Sequence, residues 1–139
     1  MNKGKGNRLM YVGQKAIIEK DGEVLVLFEK NIGLDFPGGK LHESDVNITE
    51  SLIREVREET GLDIIIGEPF YTWLVKFPPH GEYDINDVFL VAYRCIYVGG
   101  EVQLSSEHGR YQWVNRDNFK EVKDDRPHFK ALEKYFETG

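Results

Sequence analysis

The chain has a single cysteine, Cys95, among its 139 residues. One thiol permits no internal disulfide and suits a reducing cytoplasm. Long apolar runs are missing too: the longest, Val88 to Tyr93, falls far short of the ~20 residues that a spanning helix needs. The start, Met1 to Arg8, is basic but has no apolar h-region, so it does not read as a secretory signal. It reads as a flexible, frayed or appended segment ahead of one domain over residues 9–139. There is no basic excess, and the net charge of −6 argues against stable binding to nucleic acid or to an anionic membrane. No histidine pair has zinc-ligand spacing tied to cysteines, and no Ser/His/Asp arrangement is identifiable. Repeats and low-complexity linkers are absent. With 40% apolar and 12% aromatic residues, what remains is a soluble globular chain large enough for a real core.

What is present is a diglycine loop, Gly38-Gly39-Lys40, followed by a helix carrying Glu55, Glu58 and Glu59. Asn47 with Glu50 three positions later reads as a helix start, and Gly61 as its stop. At roughly 100° per residue, Thr49, Leu52, Ile53, Val56 and Thr60 form an apolar stripe that should pack on a sheet. The three glutamates fall on a separate stripe, at offsets that share one helix face. Carboxylates grouped there repel one another, and a hard divalent cation would offset the repulsion. Arg54 and Arg57 reach helix neighbours three or four residues away, so each can steady a carboxylate without occupying the metal. An ordinary solvated charged face is the alternative.

Gly39 through Leu62 resembles the Nudix box of the MutT-like pyrophosphohydrolases, G-x5-E-x7-R-E-U-x-E-E-x-G-U, with U a bulky apolar residue. Arg54 to Leu62 matches at every specified position, Val56 and Leu62 taking the two U places, and Asp35-Phe36-Pro37-Gly38-Gly39-Lys40 looks like the family's lead-in. The first half departs from the pattern. Gly39 and Arg54 stand one residue further apart than the motif allows, which places an insertion between Lys40 and Thr49. The box's first glutamate has no clean counterpart; Asp45 is the nearest substitute and Glu43 a weaker one. The resemblance implies an α/β fold, an α/β/α sandwich around a mixed central sheet.

It also implies a chemistry. Pyrophosphate hydrolysis brings water onto a phosphorus surrounded by anionic oxygens, and divalent ions neutralise those oxygens and lower the water's pKa. Mg²⁺, with Mn²⁺ as a substitute, takes oxygen ligands. Glu55, Glu58, Glu59 and the Gly38 carbonyl are the candidates, with Gly39 and Lys40 at the substrate phosphate. Glu55, Glu58 and Arg54 are also candidate catalytic residues. The phrase Leu104-Ser105-Ser106-Glu107-His108 before Tyr111-Gln112-Trp113-Val114 resembles a late loop of Nudix nucleotide hydrolases, where a glutamate reaches the metal or activates water. Glu107 is the candidate for that role; a solvated loop glutamate is the alternative, and His108 reads as a rim residue. Retention of all three box glutamates favours an enzyme over a catalytically silent nucleotide-binding module. Cys95 lies mid-strand in an apolar run, badly placed for an isopentenyl diphosphate isomerase.

The implied partner is a small-molecule nucleotide, and a homodimer stays open. A nucleoside triphosphate or related nucleotide is preferred. Pro78, downstream of Leu62, is reminiscent of the ADP-ribose pyrophosphatases, and dinucleoside polyphosphates are a further option.

Hydrophobic periodicity and turn residues order the rest. Strands are expected over Tyr11 to Glu19 and Glu23 to Lys30 with a hairpin at Lys20-Asp21-Gly22, and a short one at Asp35-Phe36. Asp63 to Phe77 should be strand broken near Gly67-Glu68-Pro69, and Pro78-Pro79-His80-Gly81 a turn. Val88 to Val98 reads as a strand buried on both faces, Glu101 to Leu104 and Tyr111 to Val114 as short strands. A short helix is expected from Asn115, and a last helix from Arg126-Pro127 to Glu137. Tyr71, Trp73, Val75 and Phe77 share one sheet face and Trp113 packs in the core. His80 and His128 read as exposed, His42 stands where the family that the box resembles commonly has an acidic residue, and Asp84 and Asp87 read as turn residues.

Overall fold

Strand β1 (Tyr11–Lys20) alternates its side chains between two cores. Ala16 and Ile18 pack on one side of the sheet with Leu25, Leu27, Leu52, Val56, Leu62, Ile64 and Cys95. Ile17 faces the other side with Val24, Val26, Leu34, Phe36, Trp73, Leu132 and Phe136. The period of two assigns each neighbour to an opposite face. In a computed structural model, which describes residues 6–138, helix α1 (Ile48–Thr60) covers the first face and α2 (Phe129–Thr138) the second. This is the α/β/α arrangement that the resemblance implies.

The remaining strands are β2 (Glu23–Glu29), β3 (Gly33–Asp35), β4 (Gly38–Lys40), β5 (Asp63–His80), β6 (Ile85–Gly99) and β7 (His108–Val114). Their order is β3-β2-β1-β6-β5, with β7 on β2 and β4 on β1. Among the described residues only β1 and β6 pair in parallel, so the sheet is mixed. The β1–β2 hairpin turns at Asp21 and Gly22, both left-handed (φ 51° and 82°), as a tight primed turn requires. Strands β1 and β2 pair only beside that turn, at Glu19↔Val24 and Lys20↔Glu23. Beyond it they part, β2 joining β7 while β1 takes β4 as partner from Gly13↔Lys40 to Lys15↔Gly38. The chain from Asp35 to Gly39 enters this fork, with the Ala16 N–H donating to the Pro37 carbonyl (2.8 Å). That fork positions the candidate site.

Helix α1 starts and stops where the sequence indicates. The Asn47 side chain accepts from the Glu50 N–H (3.1 Å), and Gly61 is left-handed (φ 78°) with its N–H on the Arg57 carbonyl (2.9 Å). The buried face is Ser51, Leu52, Val56 and Thr60. Thr49 is exposed instead, and Ser51 goes inside because its hydroxyl donates to the Asn47 carbonyl (3.1 Å).

Several expectations are corrected. Pro78, Pro79 and His80 belong to β5, and the turn begins at Gly81. An edge strand tolerates prolines because its outer N–H groups have no partner strand. Near Pro69 the β5–β6 register shifts but the strand continues. The outer half of β6 is not buried on both faces: Ile96 and Val98 are exposed. Glu101 to Leu104 makes no strand, because its backbone closes the C-terminal end of α1: Gln103 N–H donates to the Thr60 carbonyl and Ser105 N–H to that of Glu59. The short helix is a 3₁₀ turn, Phe119–Val122, after an Asn115-capped turn. Helix α2 starts at Phe129, beyond Pro127. Asp87 lies in β6 and is covered, held by Arg8 (2.9 Å) and Lys76 (3.4 Å). Phe77 is exposed, whereas Trp73 is buried. Residues 1–5 of the expected flexible start lie outside the described residues.

Candidate active site at the sheet fork

Two glycines shape the loop, each for its own reason. Gly38 has φ 142°, and a Cβ there would lie 2.9 Å from the Gln14 carbonyl carbon, inside contact with backbone. A Cβ on Gly39 would lie 3.1 Å from the Glu55 carboxyl carbon and closer still to its Oε2. So Gly38 makes room for β1, and Gly39 makes room for a carboxylate of α1. The Gly38 N–H in turn donates to Glu59 Oε2 (2.9 Å).

The three box glutamates are not equivalent. Glu55 and Glu59 are half-buried, one turn apart on the side of α1 that faces the glycine loop. Among the described residues, Glu55 Oε1 is buried with no hydrogen-bond partner. Burial raises the Glu55 pKa, with Arg54 opposing and Asp45 adding to the rise. Burial also pushes Glu59 up to about 7, against the Gly38 N–H and Lys15. Glu58 is exposed and pairs with Arg54 (3.3 Å), which also reaches Asp45 (3.6 Å). Asp45 is nearly covered, accepts from the His42 N–H (2.8 Å), and so ties the irregular loop to α1.

The late loop closes the site from the other side. Its attachment to the end of α1 carries Glu107 beside Glu59, and the ligating atoms of Glu59, Glu107 and His108 lie within 4.8 Å of one another. The structure thus brings together Gly38, Gly39, Glu55, Glu59 and Glu107, while Glu58 and Arg54 stay on the outer surface. Lys40 lines the same cavity, its ammonium 2.8 Å from His80 Nε2 and 4.8 Å from the Tyr11 ring centroid.

Sequence reasoning missed the floor of this cavity. Asp35 is buried and accepts from Lys15 Nζ (3.0 Å), from the Phe36 N–H (2.8 Å) and from His108 Nε2 (3.2 Å). His128 Nε2 faces the same carboxylate at 3.6 Å. Burial alone would raise the Asp35 pKa, but Lys15, His108 and His128 outweigh it and hold the group well below the usual range. The hydrogen bond to Asp35 raises His108, while burial and then Arg126 push His128 down to about 3. His108 and His128 are both buried, not at the rim or exposed as expected. A signal for Lys15 existed: a lysine beside Ala16-Ile17-Ile18 in a buried strand demands an anionic partner.

The cavity measures about 540 Å³. Its lining combines polar groups, among them Lys15, Asp35, Lys40, Glu59, His80, Glu107, His108, Arg126 and His128, with the apolar Phe77, Pro78, Pro79, Val88 and Leu90. A family model described as the NUDIX domain matches residues 12–135. The chain belongs to the Nudix family. An uncharacterized Nudix hydrolase of Bacillus subtilis, YvcI, is 31% identical over 100 residues, covering 70% of this chain and 61% of that protein. The match therefore spans less than two thirds of that relative's length. The MutT protein of Methanosarcina mazei has a similar structure, with a TM-score of 0.73 and 26% identity over 93% of this chain and 94% of that one. An ADP-ribose pyrophosphatase of Streptococcus suis shares the fold at a TM-score of 0.68 and 22% identity, with 94% and 92% coverage.

Nudix proteins generally depend on a divalent metal, and the residues present fit one. Among the described residues a buried carboxylate oxygen of Glu55 lacks a partner, Glu55 and Glu59 flank the glycine loop, and Glu107 stands beside Glu59. Hard oxygen ligands of this kind suit a hard cation. Among the described residues, no helix is long and apolar enough to cross a membrane.

Proposed function

We propose that this Nudix chain hydrolyses the pyrophosphate bond of a nucleoside diphosphate linked to a further group. The substrate is a nucleoside triphosphate or related nucleotide, and Mg²⁺ is the cofactor, replaceable by Mn²⁺. The reading is supported by two neighbouring features of the glycine loop: among the described residues the buried Glu55 oxygen beside Gly39 has no partner, and Glu59 and Glu107 meet in the adjoining cavity. Glu55 and Glu59, with the Gly38 carbonyl, would hold the cation, and Glu58 would join by turning inward from Arg54. A bound Mg²⁺ supplies charge neutralisation at the phosphate oxygens and a lowered pKa for the attacking water.

The protein's own groups do the rest. Gly39, without a side chain, lets the diphosphate approach the backbone, and Lys40 attracts its phosphate. Glu107 orients the water and accepts its proton as the water oxygen bonds to one phosphorus and the bridging P–O bond breaks, its electron pair leaving with the departing phosphate group. Arg54 steadies the outer carboxylates through Glu58 and Asp45. The apolar wall takes the nucleoside. Residues 9–139 act as one domain, the lone buried thiol of Cys95 fits a cytoplasmic setting, and a homodimer is compatible with all of this.

ADP-ribose is the second reading, favoured by Pro78 in the cavity wall. Release of phosphate or pyrophosphate from nucleoside triphosphates, ADP-ribose, dinucleoside polyphosphates and nucleotide sugars decides between them. Turnover that stops with excess chelator and returns with Mg²⁺ is expected. Undiminished turnover in chelator, or none on the whole panel, overturns the assignment.

A further inference from the structure

We infer that His128 is a specificity-determining residue whose Nδ1 accepts a hydrogen bond from an N–H or O–H donor on the substrate's nucleoside. The inference rests on the nucleotide reading above. His128 immediately precedes α2, lines the cavity, and is 98% buried by its 2% exposure. Its Nε2 faces Asp35 Oδ1 (3.6 Å), and that carboxylate is held in place by Lys15 and the Phe36 N–H. A carboxylate oxygen repels a ring lone pair and favours an N–H, so a neutral imidazole here keeps its proton on Nε2. Nδ1 then bears the lone pair. Burial keeps the ring neutral, because His128 titrates near 3.

Two aromatic rings bracket the imidazole. Phe36 stacks on it (centroids 6.4 Å, 19° between planes) and Trp73 meets it edge-on (5.2 Å, 76°). Among the described residues, Nδ1 is buried with no hydrogen-bond partner. A buried acceptor without a partner is rare and costly in a folded protein. Trp73 Nε1, a donor on a neighbouring ring, is likewise without a partner among the described residues, so the two do not satisfy each other. A ligand donor entering the cavity would. Phe77, Pro78, Pro79, Val88 and Leu90 supply the apolar part of the lining, and His80 and Arg126 are further polar groups in it. Two nucleoside groups carry the required chemistry: a base N–H and a ribose hydroxyl.

Calorimetric titration of the intact protein separates them. AMP, GMP and CMP are compared with their 2′- and 3′-deoxy forms, and with purine and 2-pyrimidinone riboside 5′-monophosphates, whose bases carry no N–H donor. Loss of the donor that His128 reads should weaken binding about ten- to a hundredfold. His128→Phe should abolish that discrimination, and His128→Gln, which restores an acceptor, should recover part of it. Equal affinities across the panel, or discrimination retained in His128→Phe, overturn the inference and leave the nucleotide reading standing. Absence of binding by every nucleotide overturns both.

A measurement on the unsubstituted protein guards against a variant that fails to fold. Long-range ¹H–¹⁵N spectra should show His128 as the Nε2–H tautomer, with its Nδ1 resonance shifting on saturation with the preferred nucleotide. An Nδ1–H tautomer, or a resonance that moves in Trp73→Phe and not with nucleotide, refutes the assignment.

Discussion

Gly39→Ala should disable catalysis while leaving the fold nearly intact, and Gly38→Ala should do the reverse damage first. The two residues are adjacent, yet a Cβ meets different kinds of atom at each. At Gly39 the obstacle is the Glu55 carboxylate, with Cδ 3.1 Å away. Glu55 Oε2 lies closer still, so the carboxylate must retreat by more than ~1 Å to reach ordinary contact. The end of a glutamate side chain can do this cheaply, and Glu55 Oε1 has no hydrogen bond to lose among the described residues. Stability should change by about 1 kcal/mol or less, a few degrees in Tm at most. Catalysis is less forgiving, because a misplacement of ~1 Å costs on the order of 10²-fold in rate. At Gly38 the obstacles are backbone, the Gln14 carbonyl and Lys15 Cα (3.0 Å), and φ 142° strains any side chain. Strain and collision together amount to roughly 3–5 kcal/mol, a fall of about 10–20 °C in Tm. Melting by circular dichroism and steady-state kcat for each variant form the assay. A Gly39→Ala protein that keeps its kcat would mean that Glu55 does not act from the position beside Gly39. One that melts as low as Gly38→Ala would place the constraint in the backbone.

Glu107→Gln should lower kcat by about 10²–10⁴ with KM changed much less, as expected for loss of a group acting on water; near-normal kcat would assign that role to a box glutamate. Glu59→Gln and Glu55→Gln should cut kcat at least as deeply with Tm retained, and a collapse of Tm would make them structural. Deleting Val46, which is 93% exposed, restores the usual box spacing and should leave metal-dependent activity intact, whereas loss of Mg²⁺ binding would make the longer loop part of the site. Acid should destabilise the fold through His128. Its folded pKa, about 3, lies below the ordinary 6.5, so the unfolded chain binds the proton first. Its contribution is complete above pH 6.5 and is lost as pH falls toward 3, on the order of a few kcal/mol. Denaturant midpoints measured between those pH values should fall steeply in the native chain and less in His128→Gln; equal slopes would refute the buried neutral ring.

What could be read from the sequence was what short-range rules decide. The Asn47 cap, the Gly61 stop and the Asp21-Gly22 turn each depend on a few consecutive residues, and each stands where those residues put it. The errors have a common cause as well. Pro78 and Pro79 break ladders only where a neighbour strand needs their N–H, and edge position cannot be seen in a local window. Glu101 to Leu104 has a strand-like composition, but the open carbonyls at the end of α1 compete for its N–H groups and win.

The floor of the cavity shows the limit most clearly. Lys15 comes from β1, Asp35 from β3, His108 from β7, and His128 from the turn before α2. No spacing rule links them, since they meet only because β1 and β2 part after the hairpin and admit the Asp35–Gly39 chain between. The buried charge of Lys15 required a carboxylate somewhere, and burial of Asp35 required cations in return. That reciprocal demand was readable at one end, from Lys15 in an apolar strand. Its other end, a pair of histidines clamped on one carboxylate, exists only once the sheet has forked. A chemistry that uses the box glutamates can therefore be inferred from a continuous motif, whereas the proposed reading of the nucleoside by His128 rests on residues that topology alone brings together.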